Sequence, residues 1–141
     1  MTLEELEHYR GMIVELKALQ KQKEDLYNTY HSPSMSSSGS FSGTSISPVE
    51  QALIKIDRLE TIYRIKIEAL KDKTLEVEEW LSTIEDNYVR SCIRYHYLLG
   101  YTWKETTKEV YGDYYSDHNS RMVVKRYMNN KMLRGNFNGN E

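Results

Sequence analysis

Residues 100–112 read GYTWKETTKEVYG, a helical signal closed off by a glycine at either end. Glycine stops a helix in a left-handed cap without steric cost. Thr102 followed three residues later by Glu105 is the pattern of a capping box at a helix start. Between these stops there is room only for a short helix, Trp103 to about Tyr111. A helix of that length is not stable alone in water. It therefore predicts a cluster of helices in which it is a brace, with Trp103, Thr106, Thr107 and Val110 as its core-facing residues. The flanks supply the partners. IEDNYVRSCIRYHYLLG predicts an amphipathic helix that Gly100 ends, with apolar positions at Ile84, Tyr88, Cys92 or Ile93, Tyr95 or His96, and Leu99. After Gly112, DYYSDHN reads as a connection. Ser116 or Asp117 then caps a last helix to about Leu133, with Val123, Val124, Tyr127 and Met128 inward and Arg121, Lys125 and Arg126 outward.

Upstream, two longer helices are predicted. In the first, residues 1–30, Leu3, Leu6, Ile13, Leu16, Leu19 and Leu26 recur at helical spacing and Thr2 with Glu5 resembles a capping box. Gly11 weakens the signal locally, and the stripe thins at KQKED, 21–25. Residues 31–48, HSPSMSSSGSFSGTSISP, contain nine Ser and have the composition of a flexible linker. Such a coil spans roughly 23 Å end to end, ample for the first helix to fold back on the next. Ser47 and Pro48 open the second helix as N-cap and first-turn proline. Its apolar columns are Val49, Ile56, Tyr63, Leu70, Val77, Ile84 and Ala52, Leu59, Trp80, with Leu53, Ile67 and Leu81 widening the stripe. KDKT at 71–74 is a candidate bend. The fold class expected is all-α: long N-terminal helices forming a coiled-coil or helical-hairpin stem (helix 1–30, linker 31–48, stem helix 49–83), a three-helix helix-turn-helix module at 84–134, and a disordered tail at 135–141. The stripe of the second helix is longer than the first can cover, which predicts a homodimer or higher homo-oligomer.

Charge is unevenly spread. Residues 1–83 carry 10 Lys and Arg against 14 Asp and Glu, and 84–134 carry 9 against 6. Within 118–134, Arg121, Lys125, Arg126, Lys131 and Arg134 occur with no acidic residue. Clustered cations rather than a high overall pI are what phosphate contacts require. A short brace helix followed by a basic one matches a helix-turn-helix, in which the first residues of the last helix enter the major groove. His118, Asn119, Ser120 and Arg121 occupy that leading turn. Arg bonds two acceptors on guanine and Asn does the same on adenine, whereas Lys125 and Arg126, a turn further on, suit phosphates.

The run IEDNYVRSCIRYHYLLGYTWKETTKEVYG followed by NSRMVVKRYM resembles region 4 of sigma-70 family factors. More narrowly it is similar to phage-encoded transcriptional activators of the RinA/ArpU type. The placements Arg94-Tyr95, Gly100, Trp103-Lys104-Glu105 and Arg126-Tyr127 carry the likeness over residues 84–133. The resemblance implies a sigma region 4-like module that binds double-stranded DNA, with Ser120 and Arg121 on the DNA-facing turn, RNA polymerase as a further partner, and activation of late genes in a bacterial host cell. Thr106-Thr107 depart from the family's Ile-Ala, and the turn YGDYYSDHN is longer than usual. Two alternatives stand beside this reading: a small terminase-like DNA-recognition subunit for phage packaging, and a coiled-coil adaptor that binds polymerase or another protein.

Other chemistry is sparse. His8, His31, His96 and His118 have no metal-ligand spacing, and the single Cys92 makes neither a zinc site nor an intrachain disulfide. No phosphate loop or catalytic constellation is present in the sequence, so neither an enzyme nor a cofactor or metal is expected. The N-terminus lacks an apolar leader and no run approaches a membrane span, which predicts a cytoplasmic protein without membrane contact.

Overall fold

The computed structural model describes residues 1–30 and 46–137. Most of the Ser-rich linker and the last four residues of the tail lie outside them. The fold is all-α: two long helices, α1 (Leu3–Tyr30) and α2 (Pro48–Ser82), precede a compact helical cluster of α3 (Asn87–Ile93), which continues into a π-helical turn (Arg94–Leu98), α4 (Trp103–Tyr111) and α5 (Asn119–Phe137). No helix among the described residues is long and apolar enough to cross a membrane.

The helix starts are set locally. Thr2 and Glu5 form a reciprocal capping box, with the Glu5 amide 3.1 Å from Thr2 Oγ1. Ser47 and Glu50 pair in the same way at the start of α2. The helix α1 runs through Gly11, where an added Cβ would meet open space. The helix α2 continues unbroken through 71–74, in place of the expected bend. There Lys73 pairs with Glu76 at 2.8 Å and Thr74 bonds back to the Leu70 carbonyl, so the charged positions are satisfied at the helix surface.

The chain forms two compact units whose boundaries fall within both long helices. One is Val14–Ala69. In it α1 and α2 run antiparallel, as the ion pairs Glu15–Lys66 (2.9 Å) and Lys23–Glu60 (2.7 Å) require. Leu16 and Ala52 are buried between the helices. Leu19, Leu26, Ile56, Leu59, Tyr63 and Ile67 are half-buried.

The other unit is Met1–Ile13 with Leu70–Glu141. Its core joins Leu6 and Tyr9 of α1, Val77 and Leu81 of α2, Ile84, then Val89, Cys92, Ile93 and Tyr97, and Val124 and Met128 of α5. The C-terminal cluster thus reaches further than 84–134, because the apolar columns of both long helices feed its core. Full burial of one such aliphatic side chain contributes about 1.5–3 kcal/mol. Tyr9 also bonds Thr74 through its hydroxyl at 3.0 Å.

The inward face of the third helix differs from the expected one. Asp86 caps α3 by accepting from the Tyr88 and Val89 amides. The last turn widens, with the Leu99 amide reaching the Arg94 carbonyl at 2.9 Å. This π turn brings both His96 and Tyr97 inward. Tyr88 and Leu99, expected inside, are 58% and 55% exposed.

Candidate nucleic-acid interface

Residues 100–112 form a short helix with a stop at either end, as their sequence dictates. Thr102 and Glu105 make the capping box of α4, Gly112 is its C-cap with φ of 88°, and Gly100 ends the preceding helix with φ of 79°. Trp103 lies flat on the His96 ring, with centroids 3.6 Å apart and planes inclined by 15°, and meets Tyr97 edge-on at 5.8 Å. His96 is itself tied down, with Nδ1 2.7 Å from the Tyr101 carbonyl and its own carbonyl accepting from Arg10 Nε at 3.3 Å. Burial, and next the positive charge of Arg10, hold the His96 pKa down to about 4, so the ring is neutral at pH 7. A neutral ring that bonds a carbonyl through Nδ1 carries its proton there.

The start of α5 is fixed on α4 by one hydroxyl. Thr107 Oγ1 is 2.9 Å from Ser120 Oγ and accepts from the Ser120 amide at 3.2 Å. Both side chains are buried. This corrects one expectation: Ser120 does not face outward with its neighbours but is a core residue that registers α5 on α4. Threonine at 107 has its reason in this bond, which its hydroxyl supplies. For the adjacent Thr106, whose buried hydroxyl has no partner among the described residues, the structure offers no such reason. The helix begins at Asn119, and His118 closes its first turn by accepting from the Met122 amide at 3.1 Å. The expected cap at Ser116 reaches only the His118 amide, at 3.5 Å.

Of the other expected contact residues, His118, Arg121, Lys125 and Arg126 are exposed and Asn119 is half-buried. At about 100° per residue, Lys125 falls within roughly 20° of His118, with Arg121 about 60° to one side and Arg126 about 80° to the other. Met122 and Asn129, also exposed, fill the same arc. Four residues form one convex face, with Lys125 near its centre and an arginine on each flank.

Among the described residues, four cations elsewhere in the unit are paired, and those of this face are not. Lys73 is held by Glu76, Arg94 by Glu78 in a two-bond fork of 2.6 and 2.7 Å, Lys104 by Asp117 and Lys108 by Asp113. Arg121, Lys125 and Arg126 have no carboxylate within ion-pair distance among the described residues. Arg10, on α1, bonds only a carbonyl. Together with Arg121 it bears on the buried His96 and Tyr97, so the two guanidinium groups share one neighbourhood.

The sequence marks Thr107 and His96 as core-facing positions but not the bonds they make, and it does not single out Arg10. A threonine at a core-facing position of a short helix was the available signal for the first. The other two depend on contacts between segments distant in the chain. No protein-family model, curated protein or solved structure matches the chain.

Proposed function

We propose that this protein binds double-stranded DNA through the exposed face of α5 and acts as a transcriptional regulator, with α4 as the brace of a helix-turn-helix. The observation that carries the DNA reading is the face itself: Arg121, Lys125 and Arg126 project from one helix without carboxylate partners among the described residues, while Arg94 of the π turn and Lys104 and Lys108 of α4 are paired. Unpaired, exposed cations on a convex helix suit a major groove about 12 Å wide. The regulatory role, and late-gene activation in particular, rests on the resemblance in residues 84–133.

The test is duplex binding after selection of a preferred sequence. Arg121→Ala should cost ~1–3 kcal/mol on the selected duplex and relax base preference, while Arg126→Ala should weaken all duplexes alike and flatten the salt dependence by about one unit. Ser120→Ala should act through stability instead, since Ser120 is buried. Unchanged binding in Arg121→Ala, Lys125→Ala and Arg126→Ala across several salt concentrations would rule the interface out. Mapping of bound sites in the host then separates regulator from packaging subunit, by enrichment upstream of a late operon or at a packaging site. Absence of duplex binding with capture of polymerase would favour the adaptor.

We also propose a homodimer through α2. Within Val14–Ala69, Ile54, Ile62 and Ile65 are 43%, 42% and 65% exposed and lie on the face of α2 turned away from α1. A second copy supplies a matching row under two-fold symmetry. Ile62→Asp with Ile65→Asp should leave helix content intact and yield a monomer in sedimentation equilibrium. A wild-type chain that sediments as a monomer at concentrations on the order of tens of micromolar, well above the Kd of a stable dimer, removes this proposal.

A further inference from the structure

A second cationic site lies on the other side of α5. Thr83, Tyr127, Asn130, Lys131 and Arg134 line an open cleft of about 500 Å³ between the C-terminal end of α2 and the second half of α5. On the helix, Tyr127, Asn130, Lys131 and Arg134 recur at steps of three and one, and their mean direction is roughly opposite that of His118 and Lys125. These positions prolong the inward seam that Val123, Val124 and Tyr127 begin. In an ordinary packing seam they would be apolar. Here they carry an amide, an ammonium and a guanidinium.

Neither charge is matched by an opposite one. Neither Lys131 nor Arg134 has a carboxylate within ion-pair distance among the described residues. The last carbonyls of α2 do not need them: Trp80 O accepts from the Thr83 amide and hydroxyl, and Leu81 O from the Ile84 amide. The Lys131 ammonium instead lies over the Trp80 ring, 5.5 Å from its centre. The cleft therefore presents two cations beside the neutral donors of Thr83, Tyr127 and Asn130.

We infer that this cleft binds a carboxylate-bearing segment of a partner protein. Charge complementarity requires an anion. Shape selects the source: two exposed cations line one open cleft between the end of α2 and α5, with the Lys131 ammonium over an indole, and a flexible chain bearing Asp or Glu can follow it. The phosphates of a duplex lie on a stiff, wide cylinder that fits the convex face of α5 better than this recess. The protein would then hold DNA on one face of α5 and an acidic partner on the other, an arrangement that leaves both occupied at once.

The experiment uses the full ¹⁵N-labelled chain and a short synthetic Asp/Glu peptide, followed by NMR. The indole N–H signals of Trp80 and Trp103 report separately, because these are the two Trp residues of the chain. The peptide should shift the Trp80 signal and leave that of Trp103 in place. Lys131→Glu with Arg134→Glu should weaken the peptide by roughly tenfold or more while duplex binding falls far less. Lys131→Gln with Arg134→Gln, which adds no repulsion, should weaken it in the same direction. Arg121→Glu with Lys125→Glu should leave the peptide-induced Trp80 shift intact. The proposal is overturned if peptide affinity follows the Arg121 and Lys125 variants instead, or if the Gln pair leaves it unchanged. It is overturned as well if a duplex displaces the peptide and the cleft variants lose the duplex, which makes the cleft a nucleic-acid contact. Because the two sets of variants touch different faces, failure here is distinguishable from failure of the DNA-binding reading.

Discussion

Trp103→Ala should unfold the C-terminal helical cluster or lower its melting temperature steeply, and abolish sequence-specific duplex binding with it. Removing a packed Trp costs about 3–5 kcal/mol, against a total stability on the order of 5–15 kcal/mol for a domain. The loss has two parts. One is the ring's contact with His96 at 3.6 Å and with Tyr97 at 5.8 Å. The other is exposure of the imidazole face that the indole covers. Circular dichroism should show a partial loss of helix, with the Val14–Ala69 unit keeping its own. Trp103→Phe retains a stacking ring and should recover much of the stability. A Trp103→Ala chain that melts like wild type and binds its selected duplex with full affinity would remove α4 as the brace of α5.

The features legible in the sequence were those set within a few residues. The capping boxes at Thr2 and Thr102, the N-cap at Ser47, and the stops at Gly100 and Gly112 depend on side chains three positions apart or on one backbone angle, and each formed as read. The exposure of Arg121, Lys125 and Arg126 also followed, because three cations on a short helix have no way into a small core. What was not legible depends on distant partners. Ser120 looked like a groove-facing polar residue, and only the arrival of Thr107 from α4 makes its burial favourable. The inward positions of α3 differ from the expected ones for two reasons: the helix starts afresh at the Asp86 cap, so Ile84 does not share its phase and Val89 rather than Tyr88 is buried, and the π turn at Arg94–Leu98 shifts the period before Leu99. The share of α1 in the C-terminal core was hidden for the same reason: Leu6 and Tyr9 read as the start of a stem until Val77 and Leu81 are placed beside them.

The buried histidine gives the second large effect, and its sign follows from its environment. His96 is 4% exposed, and its pKa is lowered from 6.5 to about 4 chiefly by burial and next by the positive charge of Arg10 on α1, with Arg121 on α5 acting in the same direction and the bond to the Tyr101 carbonyl in the opposite one. Above pH 6.5 the ring is neutral whether the chain is folded or not, and the stability due to it is fully present. As pH falls below 6.5 the unfolded chain takes up the proton first, so stability drops until the folded ring is protonated near pH 4. The total is roughly 3 kcal/mol, at about 1.4 kcal/mol per pH unit. The carboxylates of Glu5 and Glu105 are held below their ordinary 4.5 by their capping hydrogen bonds, so their protonation adds a loss only at lower pH. The interval between pH 6.5 and 4.5 therefore isolates the histidine. Urea unfolding of wild type should show stability falling across that interval, and His96→Gln, which bears no titrating ring, should be flatter there whatever its absolute stability. An NMR titration of the wild-type imidazole should find it neutral down to about pH 5. If that ring instead titrates near 6.5, the stack with Trp103 does not seal it from water, and the acid sensitivity assigned to it has another source.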